Sequence, residues 1–369
     1  MIFIFILIAL SCIVAVPFIV PKQEDKQIVV ILCILFALGN LMIVGGGYAI
    51  GLSKNYSLER LNYKITKIEH QEQYTRHETR TSTYTDGNGN VHTKIEHYTA
   101  RYGPYWYTYD ELGNQRSVRQ SDYEKWKAAW QNERKTGTIK GTSVGFSDCK
   151  DGDTFQCEWS GAFETMYPSY HTQRYLNKIR PSQSIFKRGD IRDKTKQYPR
   201  PVDKDLGCIV CYDGTYTANA AEMLFMDRIN AKLGVKYQVH CIIVVFGSDS
   251  NTDTVDDVLN YWGGCNKNEL VVFVGIDPDR NIRWVRTESW CDNTEIHHRI
   301  DSALIGSSFS VENIGQTIAE NITFWNRKSF KDFDYIQSDI SLTVAVWILI
   351  FQIAGNAAGL VAVWRLLRA

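Results

Sequence analysis

Residues 239–246, VHCIIVVF, and residues 270–276, LVVFVGI, decide the fold of the soluble part of this 369-residue chain. Both stretches are apolar at nearly every position and rich in β-branched side chains, which predicts strands buried on both faces. A helix over residues 219–233, with Asn219 as its N-cap and Gly234 as its stop, precedes the first strand. A second amphipathic helix separates the two strands, so helix and strand alternate.

The alternation continues beyond the second strand. Residues 277–281, DPDRN, form a predicted turn into a strand over residues 282–287. A third helix is predicted to begin at Thr294, and a fourth is predicted to cover residues 311–325. Because the strand after the turn runs back beside its neighbour, the sheet contains both parallel and antiparallel pairs. Buried strands between amphipathic helices predict an α/β/α sandwich with a mixed sheet.

This order of elements resembles the TPM domain over roughly residues 208–325. The resemblance rests on a helix ending in NAKLGV, the first buried strand, Trp262, the run NELVVFV at residues 268–274 and the hairpin into IRWV at residues 282–285. The family includes membrane-anchored bacterial proteins and a chloroplast thylakoid protein linked to photosystem repair. The resemblance implies an α/β/α sandwich beside a membrane, weak acid phosphatase activity in some members and divalent metal binding in others. Residues 288–292, ESWCD, stand where the family has a glycine-rich turn.

Three uncharged apolar segments predict membrane helices, two near the start of the chain and one near its end. Residues 1–20, 28–50 and 340–364 are each long enough to cross about 30 Å of hydrocarbon. The first segment could also be a signal peptide that is removed.

Basic residues next to these segments predict the orientation of the chain. Lys22 and Lys26 lie between the first two segments, and Arg365 and Arg368 follow the last one. Because basic residues near span ends stay on the cytoplasmic side, residues 51–339 are expected outside the cytoplasm, in a periplasmic or equivalent compartment.

Small residues on the predicted spans allow close helix packing. Gly47 and Gly51 lie on the second span, and Gly355 and Gly359 lie on the third. Two interpretations are open: a homo-oligomer formed through these glycines, or packing of the three helices within one chain.

The soluble middle divides into four further parts. Residues 51–140 are predicted to be a β-hairpin-rich accessory region with a short helix, residues 141–207 a loop-rich basic connector, residues 208–325 the TPM-like domain, and residues 326–339 a juxtamembrane segment. The hairpin turns at residues 86–90, DGNGN.

The sequence offers four cysteines as disulfide candidates. Cys149 and Cys157 flank an Asp-Gly-Asp turn and form the easiest pair in an oxidising compartment. Cys208 and Cys211 have the spacing of a redox motif, but a turn follows them where thioredoxin-like chemistry requires a helix. This favours a structural disulfide or two packed thiols over redox catalysis.

Acidic residues suggest a metal site at one end of the predicted sheet. Asp277 and Asp279 follow a predicted strand and Asp213 lies in a predicted turn, and the three are expected to converge at a sheet end. Their carboxylates are oxygen ligands suited to calcium or magnesium. No catalytic residue is predicted, because no nucleophile and base are paired in the sequence. The letters GTSVG at residues 141–145 match a hydrolase motif, but a polar stretch precedes them where a buried strand is required.

The charge balance and these motifs together favour one function over two others. Basic and acidic residues number 41 each, so the chain lacks the polycationic surface that nucleic acid requires. We expect a membrane-anchored extracytoplasmic binding or scaffolding protein, with the lipid bilayer and another protein as partners. A weak metal-dependent phosphatase-like hydrolase is the alternative, and a thiol oxidoreductase acting through Cys208 and Cys211 is a second alternative.

Overall fold

The computed structural model describes residues 2–19, 26–53, 55–134, 139–147, 150–157, 166–179, 195–247, 249–336 and 338–366. Nine α-helices and twelve strands lie in the described residues, with 3-10 turns at Ile322–Phe324 and Phe330–Ile336. In chain order they are α1 (Ile2–Ile19), α2 (Lys26–Ser53), β1 (Tyr56–Gln71), β2 (Tyr74–Thr85), β3 (Val91–Tyr102), β4 (Tyr105–Asp110), β5 (Gln115–Ser117), α3 (Gln120–Arg134), β6 (Ile139–Ser147), β7 (Lys150–Cys157), β8 (Pro168–Leu176), α4 (Pro201–Lys204), β9 (Ile209–Cys211), α5 (Ala220–Tyr237), β10 (His240–Phe246), α6 (Asp253–Trp262), β11 (Glu269–Ile276), β12 (Ile282–Ser289), α7 (Glu295–Leu304), α8 (Val311–Asn321) and α9 (Leu342–Leu366).

A four-stranded mixed sheet forms the centre of the α/β part. Its strand order is β12-β11-β10-β9, in which β9, β10 and β11 are parallel and β12 is antiparallel to β11. The predicted strands and the turn between β11 and β12 are thereby confirmed. The mixed sheet follows from the short turn, which can only reverse the chain.

Alternate residues of each central strand face two different hydrophobic layers. Ile243 of β10 packs with α5, α7 and α8 on one face, whereas Val244 packs with α6 on the other. Since every residue of β10 and β11 is buried, both faces of these strands are covered. The α/β/α layering expected from the apolar strands is therefore present.

Gly234 has a different role from the predicted one. It does not end α5, which continues to Tyr237 and is closed by Gln238 in the left-handed conformation. A Cβ atom at Gly234 would lie 3.1 Å from the carbonyl carbon of Asn62 and closer still to its oxygen. The glycine lets the helix backbone approach β1.

A second sheet, built around β1, lies beside the α/β part. Its order is β5-β4-β1-β7-β6, with β8 paired to the first half of β1. Three of these strands, β6, β7 and β8, come from residues 139–176, so the prediction of a loop-rich connector over residues 141–207 is wrong for much of the segment's described residues. Strands β7 and β8 form because the 16-residue β1 offers hydrogen-bonding positions along its length, and β6 in turn pairs with β7. Local composition does not show these long-range pairings.

Side-chain amides attach β1 to the α/β part. Asn266 Nδ2 donates to the carbonyl of Leu58 at 2.7 Å, and Asn268 Nδ2 donates to the carbonyl of Arg60 at 2.7 Å. Both asparagines are buried, so these contacts satisfy strand carbonyls that would otherwise be removed from water without a partner.

Strands β2 and β3 form the hairpin arm, residues 74–102, as a separate two-stranded sheet. The predicted turn at residues 86–90 is present, and the Asp86 carboxylate accepts the backbone N–H groups of Asn88 and Asn90 at 2.9 Å. Strands of 12 residues extend about 40 Å from the second sheet. Most residues of the arm are exposed.

Two helices, Gln27–Ser53 and Leu342–Arg365, are long and apolar enough to cross a membrane. The four predicted glycines all lie in the contact between them: a Cβ atom at Gly47 would meet Ile348, and one at Gly359 would meet Phe36. The glycines therefore serve packing within the chain, and a homo-oligomer through the same surface would have to displace these contacts.

The contacts also give the direction of the helices. Gly51 near the end of α2 meets Ile340 before the start of α9, whereas Phe36 meets Gly359 near its end, so α2 and α9 are antiparallel. Both therefore connect to the soluble part at the same end of the helix pair. Helix α1 packs against both, and its role as a third span stays a prediction.

Candidate functional site: a cleft at the carboxyl ends of the parallel strands

A cleft of about 610 Å³ opens at the carboxyl ends of β9 and β10. The loop after β9 leads to α5 on one face of the sheet, and the loop after β10 leads to α6 on the other. Two neighbouring loops that leave in opposite directions open a crevice between them, which is where open α/β sheets bind ligands. The position of this cleft thus follows from the topology.

Asp213 lines the cleft and joins the two loops. Its Oδ2 accepts the N–H of Gly247 at 2.7 Å, and its Oδ1 accepts the N–H of Thr215 at 3.0 Å. Burial raises the pKa of Asp213, but the N–H of Gly247, the Cys211 thiol and the Thr215 donors outweigh it and the net pKa is lowered. The group is therefore a carboxylate at neutral pH whose oxygens already have donors.

Aromatic rings form one wall of the cleft. Tyr198 and Tyr212 meet edge to face with centroids 5.3 Å apart, and Phe246 lies 6.2 Å from Tyr212. The Tyr212 hydroxyl donates to the carbonyl of Pro199 at 2.8 Å, and burial raises its pKa. A fixed aromatic wall beside polar groups suits a ligand with a flat apolar part.

The polar rim of the cleft carries groups of both charges. Lys196 and Asp249 line it together with Ser250 and Thr254. The Ser250 hydroxyl donates to the carbonyl of Gly247 at 2.6 Å, so its proton is not directed at a base. Among the described lining residues, Ser250 is thus not arranged as a nucleophile activated by a base.

The three aspartates predicted to hold a metal do not converge. Asp277 lies in the turn after β11, where its carboxylate accepts the backbone N–H of Asn281 at 2.8 Å, and Asp279 lies in the same turn. Asp213 follows β9, and β10 lies between β9 and β11, which separates the two carboxyl ends by roughly 10 Å. In the described part of the chain, no three His, Cys, Asp or Glu side chains are placed to share a metal ion.

Cys208 and Cys211 are separate thiols in the structure. Cys208 Sγ lies 3.7 Å from Asp227 Oδ1, whereas Cys211 Sγ lies 3.0 Å from Asp213 Oδ1. The strand β9 explains this, because three extended residues separate the two Cα atoms by about 10 Å and a disulfide needs less than about 7 Å. Of the second pair, Cys149 and the side chain of Cys157 lie outside the described residues.

Two features escaped the sequence analysis. Ser289 Oγ and His297 Nε2 are 2.6 Å apart, although the same hydroxyl also accepts the N–H of Cys291 at 3.1 Å. The aromatic wall of the cleft includes Tyr198 from the segment interpreted as a connector. The cleft forms because α5 and α6, which follow neighbouring strands, lie on opposite faces of the sheet. The sequence predicts both helices but does not show which face of the sheet each one covers.

Two buried titratable groups with shifted pKa values lie away from the cleft. His240 and Glu269 begin β10 and β11, at the opposite end of the sheet, and both are buried. Burial, with the charge of Arg60, lowers the pKa of His240 to about 3. Burial raises the pKa of Glu269, opposed by Arg200 and by the N–H of Asn266. These pKa shifts indicate that His240 and Glu269 are buried polar groups at the end of the sheet that faces β1.

Comparison with known protein families, with curated proteins and with solved structures returned no match for this chain, so the similarity to the TPM domain stays a prediction from the sequence.

Proposed function

We propose that this chain is a membrane-anchored binding and scaffolding protein whose hairpin arm contacts a protein partner. The observation that carries the proposal is the arm itself. It is a long two-stranded sheet that extends away from the body, and both faces of this sheet are exposed. Its α/β part is proposed to be TPM-like, with the cleft as a separate small-ligand position.

Exposed apolar side chains on the arm support a protein-binding role. Tyr84, Val91, Ile95 and Tyr98 are 56%, 71%, 59% and 46% exposed. Tyrosine is enriched in protein interfaces, and a ribbon of two strands has edges on which an extended peptide can add a strand. A two-stranded hairpin is only marginally stable alone in water, so a partner would also stabilise the arm.

Cross-strand contacts keep the arm extended and ready to bind. The Glu78 carboxylate accepts the hydroxyl of Tyr98 at 2.8 Å and also that of Tyr102. These bonds lower the pKa of Glu78, the Tyr102 contact contributing most, so the carboxylate stays charged at neutral pH. A preformed arm loses less conformational entropy when a partner binds.

The antiparallel α2 and α9 support a body held on one side of the bilayer. Asn55 Nδ2 donates to the carbonyl of Asp339 at 2.7 Å, which joins the segments that leave the two helices. Together with the basic residues beyond the other helix ends, this favours an extracytoplasmic body. Protease treatment of spheroplasts, in which only the cytoplasmic membrane is intact, should remove the body, whereas complete protection that is lost on lysis of that membrane would place the body in the cytoplasm.

Photo-crosslinking in native membranes tests the arm directly. A photoreactive residue replaces Ile95 on the arm in one variant and Arg299, exposed on α7, in a matched control. We expect a discrete protein adduct from position 95 and none of the same mass from position 299. In a third variant, a short Gly-Ser turn replaces residues 74–102. The protein identified in the adduct should no longer co-purify with this variant.

Two results would contradict the binding role. One is the same adduct from both positions, which would indicate random collisions in the membrane. The other is unchanged co-purification of the partner after removal of the arm, which would move the interface elsewhere.

A hydrolase is the second candidate, favoured by the carboxylates of Asp213 and Asp249 at the cleft. The full-length protein should be assayed with a chromogenic phosphate ester, with and without calcium or magnesium. Metal-dependent turnover that is lost in Asp213→Asn and kept in Asp292→Asn, an exposed acid beyond the cleft, would replace the binding proposal for the α/β part.

A further inference from the structure

Two histidines and two threonines form a square on one face of the hairpin arm. His77 is directly opposite Thr99, and Thr79 is directly opposite His97. Residues two apart on a strand share a face, so all four side chains are on the same side and the histidines are diagonal neighbours. Both histidines are exposed.

Each threonine occupies one ring nitrogen of the histidine opposite it. Thr99 Oγ1 lies 3.1 Å from His77 Nδ1, and Thr79 Oγ1 lies 3.1 Å from His97 Nδ1. Neither Nε2 atom is bonded to another residue in the described part of the chain. When Nδ1 carries the proton and donates it to the hydroxyl, Nε2 presents its lone pair.

This is the arrangement that a metal-binding imidazole requires. Histidine ligands bind the ion through one nitrogen, while the other donates to a neighbouring acceptor that fixes the ring. Diagonal partners have Cα atoms about 7–8 Å apart and closer Cβ atoms, and Zn–N bonds are about 2.0–2.1 Å long, so two rings can reach one ion between them.

The third histidine of the arm lacks these features. His92 Nε2 lies 2.9 Å from Asp86 Oδ2, which also receives the Asn90 side chain. This contact is the largest of the effects that lower the pKa of Asp86 to about 2. His92 therefore belongs to the turn and provides an internal comparison.

We infer that His77 and His97 form a binding site for a transition-metal ion of the class that imidazole prefers, with Zn²⁺ as the representative ion. The two Nε2 atoms hold the ion, Thr79 and Thr99 orient the rings, and the remaining coordination positions are open to water or to donors from a bound molecule. Calcium and magnesium, which prefer oxygen ligands, are not expected there.

Zinc titration of the full-length protein in detergent micelles, prepared without a histidine tag, tests this site. A fluorescent zinc chelator competes for the ion, and the readout is the apparent affinity of the protein. Wild type should bind Zn²⁺ in the presence of excess calcium. His77→Ala and His97→Ala should each weaken binding at least tenfold, and His92→Ala should leave it within twofold of wild type.

Two further variants separate the site from general effects on the arm. Thr79→Val and Thr99→Val keep the side-chain shape and strand preference but remove the hydroxyl, and each should weaken binding by about tenfold. The inference is overturned if wild type binds no Zn²⁺ under these conditions. It is also overturned if binding survives in both His77→Ala and His97→Ala, which would assign it to the cysteines, or falls equally in His92→Ala.

Discussion

Replacing Gly234 with alanine sets two physical effects against each other. In a helix interior, alanine is more favourable than glycine by about 1 kcal/mol, so propensity alone predicts a more stable protein. The position within α5 is helical, and alanine fits its backbone conformation. Any loss of stability must therefore come from contacts outside the helix.

Those contacts are with backbone and cannot yield as a side chain would. The new Cβ atom would lie 3.1 Å from the Asn62 carbonyl carbon and closer to its oxygen, where carbon contacts are normally about 3.5–4.0 Å. Relief requires α5 or β1 to move by on the order of 1 Å. Yet β1 is paired with β8 at this point and is attached through the amides of Asn266 and Asn268.

We therefore expect Gly234→Ala to lower the free energy of unfolding by up to about 2 kcal/mol, since overpacking costs about 1–3 kcal/mol and helix propensity returns about 1 kcal/mol. Urea unfolding of the full-length protein in micelles, followed by tryptophan fluorescence, measures the shift in midpoint. Val235→Ala, at the next and exposed position of α5, is the matched control and should be neutral or slightly stabilising. A higher midpoint for Gly234→Ala would refute the close approach of α5 to β1.

Three further outcomes are expected. The pKa of His240 is lowered to about 3 in the folded protein from an ordinary 6.5, so the stability that its neutral form provides is complete above pH 6.5 and is lost as the pH falls toward 3, at up to about 1.4 kcal/mol per pH unit. The urea midpoint of His240→Leu should depend less on pH over this range, and equal pH dependence in the variant and wild type would contradict the assignment. Asn40→Leu removes hydrogen bonds of 2.8 Å to both Gln352 and Asn356 between α2 and α9 and should lower the free energy of unfolding in detergent by about 1 kcal/mol, whereas Leu41→Ala, exposed on the same helix, should not. Burial raises the pKa values of the Cys208 and Cys241 thiols, so maleimide should modify them only after unfolding. If mass spectrometry finds either thiol labelled within minutes in the native protein, β9 and β10 are not buried as described.

Local chemistry determined much of the α/β part. The all-apolar strands β10 and β11, the Asn219 cap with Glu222 returning its bond, and the turn after β11 could each be predicted because a few neighbouring residues determine them. The arm followed from its turn sequence, and the two helices that are long and apolar enough to cross a membrane followed from length and apolarity alone.

Contacts between distant residues were decided only by the tertiary structure. Gly234 has the sequence signal of a helix stop, but the carbonyl of Asn62 determines its role. Asp213 and Asp277 follow parallel strands in the same way, yet the intervening β10 keeps them apart. Strands β7 and β8 pair with β1, and β6 pairs with β7. The cleft depends on α5 and α6 lying on opposite faces of the sheet. Residue type fixes what a short segment can form, whereas spacing between elements is set by packing of the whole chain, which no local pattern contains.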